Sequence, residues 1–132
     1  MNKDYNRREE IMLGVPYNKD DYFAGCKRFV CGLDKMKQLL EEGFIDPDES
    51  QNDSPTTKEF IEYAEDFDNV MFECYAISPD RDDYRITIEG INLIIPDDDY
   101  DKIATAIALF RYADEFSFDH NYDEYMLHAW WD

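Results

Sequence analysis

Basic side chains are scarce in this sequence, and the scarcity is uneven. The 132 residues contain 13 Lys and Arg against 32 Asp and Glu, which gives a formal net charge of −19. Residues 1–40 hold eight basic and six acidic side chains, whereas residues 41–132 hold five basic and 26 acidic ones. A soluble domain of this size needs a net charge of only about 2–8 units. DNA, RNA and anionic membranes are poor direct partners, because binding them would bring like charges together.

The sequence also lacks the features of exported, membrane-spanning and disulfide-bonded proteins. No apolar run approaches the length of a membrane-spanning helix. The N-terminal stretch "MNKDYNRREE" is polar and has no signal-peptide core, so we expect a cytoplasmic protein. The cysteines number three and the histidines two, which favours buried free thiols over a disulfide framework or a zinc site.

Motifs for catalysis and cofactor binding are missing as well. The sequence has no Gly-x-Ser-x-Gly, no Gly-rich phosphate-binding loop and no His-Glu-x-x-His. A calcium loop starting at Asp97 or Asp46 would need Gly at its sixth position and Glu at its twelfth, and neither has them. We interpret His120 and His128 as packing or surface residues. No enzyme, cofactor or metal site is therefore expected, although a carboxylate acid–base pair remains an alternative.

The composition nevertheless predicts a folded protein. Hydrophobic residues make up 44% and aromatic residues 16%, more than a disordered acidic tail contains. The chain length suits one hydrophobic core. We expect residues 1–132 to form a single acidic globular domain in which residues 1–12 are loose.

Three segments have the apolar spacing of helices. Residues 22–40 form one such run, and the two glycines within it predict one kinked helix or two helices. A second helix is predicted to start at Asp53 or Ser54 as N-cap, with Pro55 in its first turn. A third is predicted over residues 100–114.

The middle and the end of the chain alternate as strands do. In "NVMFECYAIS" the residues on one side are Val70, Phe72, Cys74 and Ala76. Its predicted partner is "YRITIEG" followed by "INLIIP", reached through the turn "SPDRDD" and interrupted by a bulge or second turn at Gly90. The C-terminal "YDEYMLHAWWD" is predicted as a strand, with a short helix as the alternative. The expected fold class is α+β, a small antiparallel β-sheet with helices packed on one face.

Acidic side chains are concentrated in clusters that we take as the candidate binding surface. The candidate partner-binding residues are Glu59, Glu62, Glu65 and Asp66; Asp80, Asp82 and Asp83; and Asp97, Asp98, Asp99, Tyr100 and Asp101. Carboxylates three or four residues apart on a helix lie about 5–6 Å from each other, which is similar to the steps between phosphates of a nucleic-acid strand. Such an array can occupy a groove built for DNA or RNA. Helix capping by one or two aspartates and a merely solvated surface remain alternatives.

One stretch resembles other proteins. It runs from Asn52 to Ile91 and contains "NDSPTTKEFIEYAEDF" and "YAISPDRDDYRITIEGI". It resembles small uncharacterised acidic proteins on mobile elements of gut Firmicutes. In its size, its charge and its lack of an active site, the chain is similar in composition to anti-restriction and anti-CRISPR DNA mimics.

These observations lead to one main hypothesis and three alternatives. The main hypothesis is an acidic protein that docks on and inhibits a basic nuclease or nucleic-acid-binding partner as a DNA mimic. The first alternative is an immunity-type or regulatory module with one dedicated partner, in which Trp130 and Trp131 dominate the binding energy. The others are a carboxylate-based enzyme and a self-associating protein in which residues 1–40 meet acidic residues of a neighbouring copy.

Overall fold

A five-stranded antiparallel sheet and four α-helices make up the computed structural model, which describes all residues from 1 to 132. The helices are α1 (Tyr5–Leu13), α2 (Leu33–Glu41), α3 (Thr57–Ala64) and α4 (Tyr100–Phe110), with a 3₁₀ turn at Lys19–Asp21. The strands are β1 (Cys26–Cys31), β2 (Val70–Ile77), β3 (Ile86–Pro96), β4 (Glu115–Asn121) and β5 (Glu124–Trp130). Their order across the sheet is β1-β2-β3-β5-β4. The predicted α+β class is confirmed.

One face of the sheet carries the hydrophobic core, and all four helices contribute to it. The predicted alternation of β2 is confirmed, since its buried core residues are Val70, Phe72, Cys74 and Ala76. Phe60 of α3 packs edge-on against Phe72 and Trp131, with ring centroids 6.1 and 5.3 Å apart. Phe110 of α4 reaches the same Trp131 ring at 6.5 Å. Each of these side chains contributes roughly 1.5–3 kcal/mol by leaving water, and together they fix the helices on one side of the sheet.

The helix predicted over residues 22–40 is wrong in its first half, where strand β1 lies instead. Ala24 and Gly25 have φ angles of +54° and +76°, and this left-handed pair makes a turn that no helix can continue through. In β1, Phe29 and Cys31 are buried while the residues between and around them are more exposed, which is the alternation of a strand. Only α2 keeps the predicted helical spacing.

Other predicted boundaries shift by a few residues. The N-cap of α3 is Thr56 rather than Asp53 or Ser54, because Thr56 and Glu59 exchange the two hydrogen bonds of a capping box. Helix α4 ends at Phe110, short of the predicted end. The C-terminal strand is confirmed as β5, and its hairpin partner β4 was not predicted.

The cysteines are free thiols. Cys31 and Cys74 are buried, as expected, whereas Cys26 is only half-buried. Burial raises the pKa of the Cys74 thiol well above its ordinary value. None of the helices has both the length and the apolar character needed to cross a membrane.

The first twelve residues are not loose, contrary to the prediction. The Asp4 side chain caps α1 by accepting a hydrogen bond from the backbone N–H of Arg7 at 3.2 Å. Ile11 and Met12, at the end of the helix, belong to the hydrophobic core. The helix is hard to recognise from its sequence because polar and charged residues together outnumber apolar ones along it.

A buried cluster around Arg8 and Glu9, which are neighbours within α1, holds this helix against the sheet. Arg8 is 0% and Glu9 2% exposed, and their charged groups lie 3.6 Å apart. Nη2 of Arg8 donates to the Tyr22 hydroxyl at 2.9 Å and to the Ile77 carbonyl at 3.0 Å. The Arg8 guanidinium also lies 4.3 Å from the centre of the Tyr84 ring. Because neither charge can reach water, each one depends on the other and on these neighbours.

We expect Arg8→Ala to lower the free energy of unfolding by about 3–5 kcal/mol, because it leaves the Glu9 carboxylate buried without a cation. Urea denaturation followed by circular dichroism measures the change. Arg7→Ala is the control, since Arg7 is half-exposed in its pair with Glu42 and its loss should cost much less. Equal losses in the two variants would show that the buried pair is not what holds α1.

Candidate functional site

The acidic cluster in the β2–β3 turn lies apart from the others. Asp80, Asp82 and Asp83 occupy this turn, and Asp83 is engaged by Arg81 at 2.8 Å and Arg85 at 3.1 Å. Strand β3 has 11 residues and separates the turn from the cluster that follows the strand. At a rise of about 3.4 Å per residue, the two clusters are roughly 35 Å apart. They therefore do not form one surface.

The α3 cluster is partly occupied by contacts within the protein. Glu59 completes the capping box of the helix. Glu65 forms an ion pair with Lys37 at 2.8 Å. Glu62 and Asp66 are exposed, so these two are the side chains of this cluster that face water without such a contact.

Residues 97–101 combine structural and exposed carboxylates. Asp99 is the N-cap of α4 and accepts a hydrogen bond from the backbone N–H of Lys102 at 3.2 Å. Oδ2 of Asp97 lies 3.0 Å from Nε2 of His120. The exposed members are Asp98, Tyr100 and Asp101. Capping thus accounts for one of the aspartates and leaves two fully available.

Folding brings acidic residues from the α3–β2 loop beside this cluster. Nζ of Lys102 lies 3.2 Å from Asp68 and 3.8 Å from Asp99, so one lysine bridges the two segments. Asp66 and Asp101 line the same shallow hollow. Two clusters that are separate in the sequence therefore adjoin in space.

The β4–β5 turn completes this surface. The backbone N–H of Asp97 donates to the Asp123 carbonyl at 2.9 Å, which places the turn beside the start of the cluster. We name the resulting surface the acidic end; its carboxylates are those of Asp66, Asp68, Asp97, Asp98, Asp99, Asp101, Asp123 and Glu124. The basic side chains that contact it are Lys102 and the imidazole of His120.

A second candidate site lies on the sheet face opposite the helices, and the sequence reasoning missed it. A cavity of about 550 Å³ opens there, with residues from all five strands in its walls. Its polar side chains are Arg28, Glu73, Glu89, Asn92, Glu115 and His128. Its apolar walls include Val30 and Trp130. This volume is in the range of pockets that hold small ligands.

A β-bulge shapes the floor of the cavity. Glu73 pairs with Gly90, but the next residue of β2, Cys74, pairs with Ile88. Glu89 is therefore an extra residue on β3 without a partner on β2, and its side chain is directed to the open face. The bulge that Gly90 predicted from the sequence is confirmed, and β3 continues through it without a second turn.

Gly90 keeps the floor of the cavity open. A Cβ atom at this position would lie 3.0 Å from the Ala129 carbonyl oxygen and 3.0 Å from Cδ1 of Trp130. It would also lie 3.4 Å from Oε2 of Glu73. Any larger residue would push against the β5 backbone and fill the space between the Trp130 and Glu73 side chains.

Glu73 is held in place by neighbouring side chains. Nδ2 of Asn92 donates to Oε1 of Glu73 at 2.6 Å. Nε2 of His128 lies 2.8 Å from the same oxygen, but it is not aligned for a hydrogen bond. His128, whose side chain is 36% exposed, lies in the cavity wall.

Glu89 is the buried carboxylate of the cavity. Its side chain is only 8% exposed, and Nε of Arg28 lies 3.4 Å away on a side chain that is 74% exposed. Burial raises the pKa of Glu89, against the opposing effects of the Arg28 charge and the Trp130 indole N–H. Neither group makes a hydrogen bond of normal geometry with it. The Glu89 oxygens are not among the fully buried polar atoms without a partner, so the carboxylate is partly desolvated, incompletely compensated and open to the cavity.

The tryptophan pair does not act as one unit. Trp131 is 4% exposed and belongs to the core, which contradicts its expected role as an interface anchor. Trp130 is partly exposed and lines the cavity. Consecutive residues of a strand point to opposite faces, and this separates them.

No protein family, curated protein or solved structure matches this chain. No group of three or more His, Cys, Asp and Glu side chains is arranged to hold a metal ion. The two candidate sites are therefore judged by their own geometry: an exposed acidic end and a cavity with a buried carboxylate.

We expect Glu89→Gln to be more stable than the wild type near neutral pH, because it removes a buried charge. A raised carboxyl pKa means that the folded protein holds this proton more tightly than the unfolded chain, so wild-type stability falls as pH rises through that pKa. The gain should therefore shrink as the pH is lowered to about 4. Urea denaturation across this pH range measures it. Glu62→Gln removes an exposed charge as the control, and an equal gain there would contradict burial as the cause.

Proposed function

We propose that the protein binds a basic partner through the acidic end and that the partner is a nuclease or nucleic-acid-binding protein. Occupation of the partner's nucleic-acid site would inhibit it in the manner of a DNA mimic, and this requires no catalytic residue. The observation that carries the proposal is the acidic end itself. Carboxylates from the α3–β2 loop, the β3–α4 segment and the β4–β5 hairpin meet there. Lys102 is the cation in contact with them, and the His120 imidazole lies beside Asp97.

The electrostatics of this surface favour such a partner. Carboxylates concentrated at one end of a chain with a net charge of −19 attract cationic surfaces over a distance of about 8–10 Å at physiological salt. A groove that binds phosphates presents Lys and Arg side chains at several-ångström spacing. The Asp68 and Asp99 carboxylates lie 3.2 and 3.8 Å from the same Lys102 Nζ, and hence within several ångströms of each other. The acidic end is therefore complementary in charge to such a groove.

Two exposed tyrosines add contact area at the same end. Tyr100 is 76% and Tyr122 is 92% exposed, and they stand at the start of α4 and in the β4–β5 turn. Tyrosine is enriched in the centres of protein interfaces, where it combines apolar area with a hydroxyl group. The proposal places the protein in the cytoplasm, where such partners act.

The test compares two double variants with the same change in charge. Asp98→Asn/Asp101→Asn alters the acidic end, and Asp80→Asn/Asp82→Asn alters the distant turn; all four residues are exposed. A panel of immobilised basic nucleases and DNA-binding domains is loaded at low salt and eluted with a salt gradient. We expect selective retention of the wild type by one partner and a clear drop in elution salt for the acidic-end variant only.

Inhibition supplies the second measurement. The retained nuclease should lose activity when the wild-type protein is added, and duplex DNA should compete with it. If the two double variants had equal effects, binding would depend on the net charge of the protein and not on the acidic end. Retention by all panel members alike, or by none, would reject the proposed function.

A further inference from the structure

The cavity on the open face is separate from the acidic end and needs its own explanation. Gly90 lies in its floor, while the acidic end begins just after Pro96, roughly 20 Å further along β3. The centres of the two regions are therefore separate. The following inference goes beyond the proposed function and does not depend on it.

The shape of the cavity favours a small organic group over a metal ion. Its volume of about 550 Å³ far exceeds that of a metal ion. Its carboxylates are also spread over different strands and are not grouped as metal ligands. Val30 and Trp130 supply apolar wall on which an alkyl chain or a flat cation can lie.

The charge of the cavity selects a cation. Glu73, Glu89 and Glu115 contribute three carboxylates; the guanidinium of Arg28 opposes them, and the imidazole of His128 lies against Glu73. An anion would be repelled by three groups and attracted by one exposed side chain. A cation would be attracted by the three carboxylates and repelled by the one guanidinium.

The two central carboxylates, Glu73 and Glu89, differ in their hydrogen bonding. Glu73 accepts the amide hydrogen bond of Asn92 and lies beside His128, so its position is fixed and one oxygen is engaged. Glu89 is buried without a hydrogen bond of normal geometry. The partner that Glu89 lacks is a strong donor with a positive charge.

Arg28 shows which donor fits. Its guanidinium approaches Glu89 from the rim at 3.4 Å, which is longer than a direct charged hydrogen bond, and the side chain remains 74% exposed. Leaving this position costs Arg28 little, because water can solvate it at once. A cationic group of a ligand can therefore replace the Arg28 guanidinium beside Glu89.

We propose that this cavity binds one alkylammonium or guanidinium group, paired with Glu89 and lying against the Trp130 ring. Glu73, oriented by Asn92, accepts a second hydrogen bond from the bound cation. Arg28 is the internal competitor and moves into solvent when the ligand binds. The cation belongs either to a small free amine or to a Lys or Arg side chain of another protein.

The test uses butylguanidinium and butylammonium chloride, titrated into the full chain by calorimetry at fixed salt. NMR follows the indole N–H of Trp130, which is assigned by its loss in Trp130→Leu. We expect saturable binding with a shift of this signal. Glu89→Gln should weaken binding about tenfold or more, the loss typical of one charged hydrogen bond. Trp130→Leu should weaken it as well, through loss of the aromatic ring.

Arg28→Gln gives the opposite prediction. Removing the internal competitor should strengthen binding several-fold. Because any change of charge shifts the binding of a cation, each variant has a matched control: Glu62→Gln for Glu89 and Lys27→Gln for Arg28. Equal shifts in a variant and its control would overturn the proposal, and so would the absence of saturable binding up to about 10 mM of either cation.

Two further arms assign the source of the cation and separate this site from the acidic end. A blocked Gly-Arg-Gly tripeptide that binds more tightly than butylguanidinium supports a protein side chain, and the reverse supports a free amine. Asp98→Asn/Asp101→Asn should change cation binding no more than Asp80→Asn/Asp82→Asn, which has the same change of charge. Loss of cation binding in the Asp98→Asn/Asp101→Asn variant would show that the cation does not bind in the cavity. If only the panel of basic partners gave no binding, the proposed function would be rejected and the cation site would stand.

Discussion

Strand β3 is paired with β2 on one side and with β5 on the other, and the rest of the structure depends on this double pairing. Its core-facing residues, such as Ile91 and Leu93, are buried under the helices. Its bulge at Glu89 and its glycine at position 90 open the cavity on the other face. Its last residue leads directly into the acidic end. A strand held on both sides can carry a buried carboxylate that an edge strand would expose to water.

A chain with a net charge of −19 must keep its charges apart in order to fold. Most carboxylates are placed in turns, at helix ends and on outer surfaces, and several are bound to the few cations present. The buried exceptions are compensated to different degrees. Glu9 has Arg8 and Tyr22 beside it, whereas Glu89 has only the exposed Arg28 at ion-pair distance. This difference separates a structural ion pair from a carboxylate available to a ligand.

Predictions from the sequence succeeded where one periodicity dominated. The alternation of β2 and the turn before β3 were recognised, and Gly90 indicated the bulge. They failed where a segment fits two periodicities, as in residues 22–40, where the turn at Gly25 decides between strand and helix. Strand β4 and helix α1 were missed for another reason. Their polar residues outweigh the apolar ones, so they are fixed by contacts with distant residues rather than by their own pattern.

The sequence by itself determined the fold class, the strong negative charge and the core face of β2, because these follow from composition and from the local alternation of side chains. Only the tertiary structure decided which acidic residues adjoin. In the folded protein Asp66 and Asp101 line the same hollow, and both are far from Asp80. The tertiary structure also created the cavity, whose lining comes from five strands between Arg28 and Trp130. Distances between residues so far apart in the chain depend on strand order and register, and these are set by packing of the whole sheet.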